Sequence, residues 1–240
     1  MESRQGAKVR ATKLRSILLE LGHDINHASA LEVIARQYHC KDWNTCAAAL
    51  NKRAEILPVP TGWQASGDSR ERYHVGIDQS ILHADSHPAV IRYKETAPKD
   101  GTGFATFMQS FDATEYQGKR VEFTASLMCM DCDGATTLWL RADSTSKQAV
   151  AFSNLEDKGI GAVNGPISGN TDWTRRFIVL DIPEEAISIS FGFYVRGRGA
   201  GYAIGFSLNT VSTDTPVSAT PSNDHRKPVN LTLRPGDGDG

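Results

Sequence analysis

The sequence predicts a mainly β protein, a β-sandwich of the jelly-roll kind preceded by a three-helix N-terminal domain. Three observations carry this. Apolar positions between residues 7 and 50 recur at helical spacing and are separated by capping residues. Leu57-Pro58-Val59-Pro60-Thr61-Gly62 then ends that periodicity, since proline holds the chain extended and cannot continue a helix. Beyond it come eight short runs rich in β-branched and aromatic residues, divided by Gly, Asp, Asn and Pro. No long amphipathic segment lies among them, which argues against parallel βαβ winding. The boundaries that follow are a helical module over residues 1–57, a linker over 58–61, a sandwich over 62–211 and a disordered or loosely docked tail over 212–240.

The first helix is read from AKVRATKLRSILLEL, where Val9, Leu14, Ile17, Leu18 and Leu21 form a stripe and Gly22 supplies the stop. Asn26 is a good N-cap for a second helix that buries Leu31, Ile34 and Ala35. A third begins beyond Asp42 and runs through Cys46, Ala49 and Leu50, with Trp43 as an aromatic wedge at the corner. A module this small buries little surface and needs good packing or a neighbour.

The run His27-Ala28-Ser29-Ala30-Leu31-Glu32, continuing through Ala35-Arg36 to Asp42-Trp43-Asn44-Thr45 and Ala48, resembles the small helical domain of bacterial proteins related to the glyoxalase superfamily. That resemblance marks a domain over about residues 7–55 and implies no chemistry. A glyoxalase fold needs paired βαβββ units with metal ligands, and this chain shows no such repeat.

The strand runs are AVIRYKE, GFATFMQSF, RVEFTASLMCM, TTLWLRAD, QAVAFSN, TRRFIVLDI, ISISFGFYVRG and GYAIGFSL. Eight strands at this spacing fit a sandwich or barrel. Residues 62 to about 209 also resemble jelly rolls of the galactose-binding or carbohydrate-binding-module type, in a bacterial variety seen in proteins related to transcriptional regulators. The likeness rests on Gly62-Trp63, Gly67, Tyr73, Gly76, Asp78, His83, Met108-Gln109, Tyr116, Gly118-Lys119-Arg120-Val121, Leu138-Trp139, Arg141, Asp143, Ala151-Phe152, Asn154 and Thr171-Asp172-Trp173-Thr174. Such domains often close with an aromatic and acidic strand, where this chain has Tyr202-Ala203-Ile204-Gly205.

From about Asn209 the apolar pattern fades into TVSTDTPVSATPSNDHRKP, a composition that cannot offset its own ordering entropy. Val229, Leu231 and Leu233 alternate and offer either a docking strand or a plain disordered end. The formal charge is −2, divided unevenly: residues 1–57 hold nine Lys or Arg against six Asp or Glu, and residues 61–211 hold fourteen against eighteen. Neither a secretory leader nor an apolar run long enough for a membrane span is apparent, so a cytoplasmic location and reduced cysteines are the expectation.

Candidate chemistry is sparse. Cys129-Met130-Asp131-Cys132 has metal-site spacing and invites Cys40, Cys46, His23, His27 or His39 as further ligands, but no second local pair completes a four-ligand zinc set. Placed in a turn ending a strand, it also lacks the helix start that would activate a thiol. No nucleophile elbow or P-loop pattern occurs, so no metal, cofactor or catalytic residue is assigned. Alternation in LWLRAD sends Trp139, Arg141 and Asp143 to one face, and Gln109 is a polar group beside Phe107 and Phe111. With Asn154, these form a candidate site for a small polar, carbohydrate-like ligand, against the alternative of a solvated Arg141–Asp143 pair and a satisfied core amide. Asp78 and His83 are candidate loop braces or ligand contacts.

Three functions follow in order. The first is a non-enzymatic binding or sensing protein whose helical module contacts a partner. The second is a nucleic-acid-associated regulator using Lys8, Arg10, Lys13, Arg15 and Arg36. A hydrolase on a jelly-roll scaffold comes third.

Overall fold

The computed structural model describes residues 4–50, 57–83 and 85–218. Three helices come first: α1 (Arg4–Glu20), α2 (His27–Gln37) and α3 (Trp43–Leu50). Nine strands follow: β1 (Trp63–Ser66), β2 (Tyr73–Ile77), β3 (Ala89–Tyr93), β4 (Phe104–Asp112), β5 (Arg120–Asp143), β6 (Ala151–Asn154), β7 (Ile167–Asp181), β8 (Ser188–Arg196) and β9 (Ala200–Thr210). None of the described helices is long and apolar enough to cross a membrane.

Capping sets the helix limits. Gly22 takes a φ of +85° after α1, a conformation that costs a side-chain-bearing residue more than glycine. Asn26 Oδ1 accepts from the Ser29 N–H at 2.8 Å to start α2, and Asp42 Oδ1 accepts from the Thr45 N–H at 2.8 Å to start α3. These bonds to the first turn hold the Asp42 carboxyl below its ordinary range. The helical core is Ala7, Ala11, Ala30, Leu31 and Ile34, closed by Leu14, Tyr38, Leu50 and the expected wedge, Trp43.

The strands form two antiparallel layers joined by β5. The first layer runs β1-β4-β8-β5-β6 and uses Ala135 to Asp143 of β5. The second runs β7-β5-β9-β3-β2 and uses mainly Arg120 to Met130. Between them lie Tyr73, Ile91, Phe107, Phe123, Leu127, Leu138, Leu140, Ile178 and Phe193, all essentially buried. This is the β-sandwich predicted from alternation.

The sequence read RVEFTASLMCM and TTLWLRAD as two strands with a turn at the cysteines, and here the structure differs. β5 is continuous, and its ladder with β7 shifts register between Leu127 and Thr136. Extra residues at bulges sharpen twist without ending the strand, which lets one strand pass between sheets. Asp131, at φ 50°, sits at this bend. Cys129 and Cys132 are therefore buried strand residues, and burial pushes the Cys129 thiol up to about 11. β1 and β2 are additions to the eight runs, being short and broken by polar residues.

The helices lie against the outer face of the second layer. Val9 and Leu57 pack on Val90, Met128, Met130 and Tyr202, Lys8 pairs with Asp131 at 2.6 Å, and Arg4 pairs with Glu95. The Pro58 carbonyl accepts from the Ile77 N–H at 2.8 Å, so this end of the linker is stitched to β2. A Cβ on Gly76 would fall 2.5 Å from the Leu57 oxygen, so only glycine admits the chain there.

At the other end, the described part of the tail is docked. Arg120 donates to the carbonyls of Thr213 and Thr215, and the Ser218 N–H donates to the Val179 carbonyl at 2.8 Å. Val229, Leu231 and Leu233 lie outside the described residues.

Candidate ligand groove

Cross-strand register decides which side chains share a surface. Met108, Gly192, Trp139 and Asn154 stand in one row across β4, β8, β5 and β6. Thr106 and Tyr194 form an adjacent row, and the alternate positions Phe107, Leu138 and Phe193 point into the core. The outward rows floor a groove of about 600 Å3, whose lining also includes Gln64, Ser66, Asp68, Phe104, Arg141, Phe152, Glu156 and Arg196.

Of the five residues nominated from sequence, the structure brings Trp139, Arg141 and Asn154 together in this groove. Trp139 is only 8% exposed. Its Nε1–H donates to Thr106 Oγ1 at 2.8 Å, and that hydroxyl donates to the Phe193 carbonyl at 2.9 Å. The indole is thus a fixed part of the floor, and the open ring is Phe152, 46% exposed.

Asp143 acts behind Arg141. Its Oδ2 accepts from Arg141 Nε at 3.0 Å and its Oδ1 from the Ala149 N–H at 2.7 Å, bracing the turn into β6. Gln109 is separated from the set. It pairs with Trp63 and Phe191, residues of the core-facing rows, so it lies on the opposite face of β4 from Met108. It stands one position from Met108 and three from Thr106, odd offsets, so period-2 alternation sends it inward.

Residues that sequence reasoning missed complete the groove. Glu156 accepts from the Tyr194 hydroxyl at 2.6 Å and pairs with Arg196 at 2.9 Å. Burial, with the Glu156 carboxylate next, raises the Tyr194 phenol above its ordinary value and keeps it a donor. Alternation in ISISFGFYVRG could have found Tyr194 and Arg196 by opposing them to Phe191, Phe193 and Val195. Glu156 lies in a short 3-10 turn after β6 and carries no such signal. The walls hold charges of both signs: Arg196–Glu156 and Arg141–Asp143 are ion pairs, and Asp68 Oδ1 accepts from the Phe104 N–H at 2.8 Å.

Asp78 and His83 lie elsewhere. Asp78 is buried; its Oδ1 accepts from the Ser80 N–H at 3.0 Å, and its Oδ2 pairs with Arg92 at 3.3 Å. His83 stacks on Trp173 with ring centroids 4.7 Å apart. Among the basic residues named for nucleic acid, Lys8 is paired with Asp131, and Arg15 Nε donates to the Ile25 carbonyl at 2.9 Å. Arg10, Lys13 and Arg36 are exposed. Among the described residues, no three His, Cys, Asp or Glu side chains group to hold a metal.

Residues 1–77 match the family model described as "Glyoxalase superfamily protein". The chain is 31% identical over 174 residues to the uncharacterized HTH-type transcriptional regulator YbfP of Bacillus subtilis, covering 72% of this chain. It spans 56% of the length of that relative. Among solved structures it is similar to tailspike protein 4 of bacteriophage CBA120, with TM-score 0.47 and 14% identity over 63% of this chain and 20% of that one. It is also similar to the Clostridium thermocellum xylanase 10B fragment, with TM-score 0.45 and 9% identity over 66% of this chain and 28% of that one. A third similar structure is the xylan-binding domain of Paenibacillus barcinonensis Xyn10C, with TM-score 0.43 and 10% identity over 64% of this chain and 88% of that one.

Proposed function

We propose that this protein binds a neutral polar ligand of the carbohydrate class in the groove over β4, β8, β5 and β6, without catalysing a reaction on it. The observation that carries this reading is an exposed ring, Phe152, beside two closed ion pairs, Arg141–Asp143 and Arg196–Glu156. An anionic ligand would have to break one of those ion pairs to reach an arginine. A polyhydroxyl ligand needs only donors and acceptors plus a flat apolar face, and the groove supplies both.

In this reading Phe152 packs on the apolar face of a sugar ring. Asn154 donates from its amide nitrogen, because its Oδ1 is already accepting from the Glu156 N–H at 3.0 Å. Arg141 and Gln64 donate from the two sides. Trp139 and Asp143 hold these groups in position.

The test is binding of the whole chain to immobilised neutral oligosaccharides, with calorimetry on any that are retained. Phe152→Ala and Asn154→Ala should each weaken binding, Phe152→Ala by about 2 kcal/mol or roughly thirtyfold. Both variants should keep stability within about 0.5 kcal/mol of wild type, because neither side chain belongs to the core. Retention that survives both substitutions would remove the groove from consideration.

The similarity to a transcriptional regulator favours a second reading, in which the chain is a regulatory module and the helical domain contacts nucleic acid or another protein. A match of 174 of the 240 residues must include much of the sandwich, so the shared part is larger than the helical domain. Binding of the full chain to duplex DNA, with affinity falling steeply as salt rises, would support the nucleic-acid form of this reading.

A further inference from the structure

A second cavity, of about 410 Å3, opens where the second layer narrows. The ladder between β3 and β9 ends at Ala89 opposite Ala203, while β9 continues to Thr210. Among the described residues, no strand borders β9 on that side beyond Ala203, so a notch is left in the sheet. Through it the interior between the layers is reached.

The walls of this notch differ from those of the groove. Trp63, Phe107 and Phe206 line it, with Trp63 stacked on Phe107 at 4.8 Å and 12° between planes. Its rim carries the imidazoles of His83 and His87. His87 Nδ1 lies 2.6 Å from the Ile81 carbonyl oxygen, which can only accept, so the proton of a neutral ring is on Nδ1. Its Nε2 is then a hydrogen-bond acceptor on a ring that lines the cavity.

We propose that this notch is a second ligand site, distinct from the groove, for a small planar aromatic molecule carrying one N–H or O–H donor. Three aromatic rings line the apolar walls, the volume lies within the roughly 300 to 1,000 Å3 usual for small-molecule sites, and the fixed His87 tautomer selects a donor over an acceptor. The site does not depend on sugar binding. Phe107 points into it and Met108 into the groove, so opposite faces of β4 serve the two.

Indole is a suitable probe, and 1-methylindole is its counterpart without the donor. The full chain, labelled with 15N, would be titrated with each while the four tryptophan indole resonances are followed. Indole should shift the Trp63 resonance saturably and leave that of Trp139 in place. 1-Methylindole should bind about tenfold more weakly, the loss of one hydrogen bond to a partly desolvated acceptor.

His87→Ala should abolish the preference between the two probes, and Ser126→Phe, which places a ring at the cavity wall, should abolish binding of both. Absence of a saturable Trp63 shift would overturn the proposal. So would equal affinity for the two probes, a preference that survives His87→Ala, or a response confined to Trp139.

Discussion

His27 shows how one side chain can make a contact conditional. It stands at the first position of α2, and both ring nitrogens are buried without a hydrogen-bond partner. Burial lowers its pKa; Asp131 acts in the opposite sense, and Arg15 and Lys8 add to the lowering. A histidine whose folded pKa lies below its unfolded value of 6.5 takes up more protons when the contact is lost. Its stabilising effect is therefore full above the unfolded value and declines as pH falls below it. Urea midpoints should drop between pH 7.5 and pH 5.5, and the drop should shrink in His27→Ala, since Asp131 is held below the ordinary carboxylate value and titrates lower still. An equal drop in the variant would assign the effect to another group. At this same scale, alternation along LWLRAD puts Trp139 and Arg141 on one face of their strand, and Asn154 joins them only through the pairing of β6 with β5. Alternation also puts Gln109 beside Phe107 and Phe111, but whether that face of β4 is the one Trp139 shares depends on pairing through β8 to β5. The sequence of GFATFMQSF does not contain that pairing.

Among the elements, α1 carries the junction between helices and sandwich. Of the stripe expected there, Ile17 and Leu21 are exposed; instead Ala7, Ala11 and Leu14 serve the helical core, while Lys8 and Val9 meet β5 and its neighbours. Val9→Asp would put a carboxylate against Met128, Met130 and Tyr202, a burial without compensation that costs several kcal/mol if the helix stays in place. The cheaper response is for the helix to lift. Hydrogen exchange should then accelerate through α1, while the amides of β4 and β8, on the far layer, keep their protection. Uniform acceleration in both would show that the two parts open together. Strand existence was readable from β-branched and aromatic runs, and helix limits from Gly22, Asn26 and Asp42. The passage of β5 between layers was not, because bulge and turn share the same local signals: a small or acidic residue at positive φ, here Asp131, followed by Gly134. Only the partners on both sides of the strand distinguish bending from reversal.

For the molecule as a whole, these contacts decide whether the helical module is an independent domain. Among the described residues, its largest buried side chains are Leu31 and Ile34, set among alanines and Cys46, and the partly buried residues around them add only a thin shell. Fewer than about 60 residues with so little buried area seldom fold alone without a metal, disulfide or neighbour. The second layer supplies the neighbour, and it has the reciprocal need: Val90, Met128, Met130 and Tyr202 face outward and are covered on that side by Val9 and Leu57. A peptide of residues 1–57 should show weak helical circular dichroism and no cooperative melt. A chain beginning at residue 58 should keep its β signal but bind a hydrophobic dye and associate, because an apolar patch is then exposed. Mixing the two should restore helix and suppress the dye signal together. A cooperative melt of the isolated peptide would make the helices a separate domain, and the ion pairs of Arg4 and Lys8 would then be incidental surface contacts of the kind that contribute about 0–1 kcal/mol each.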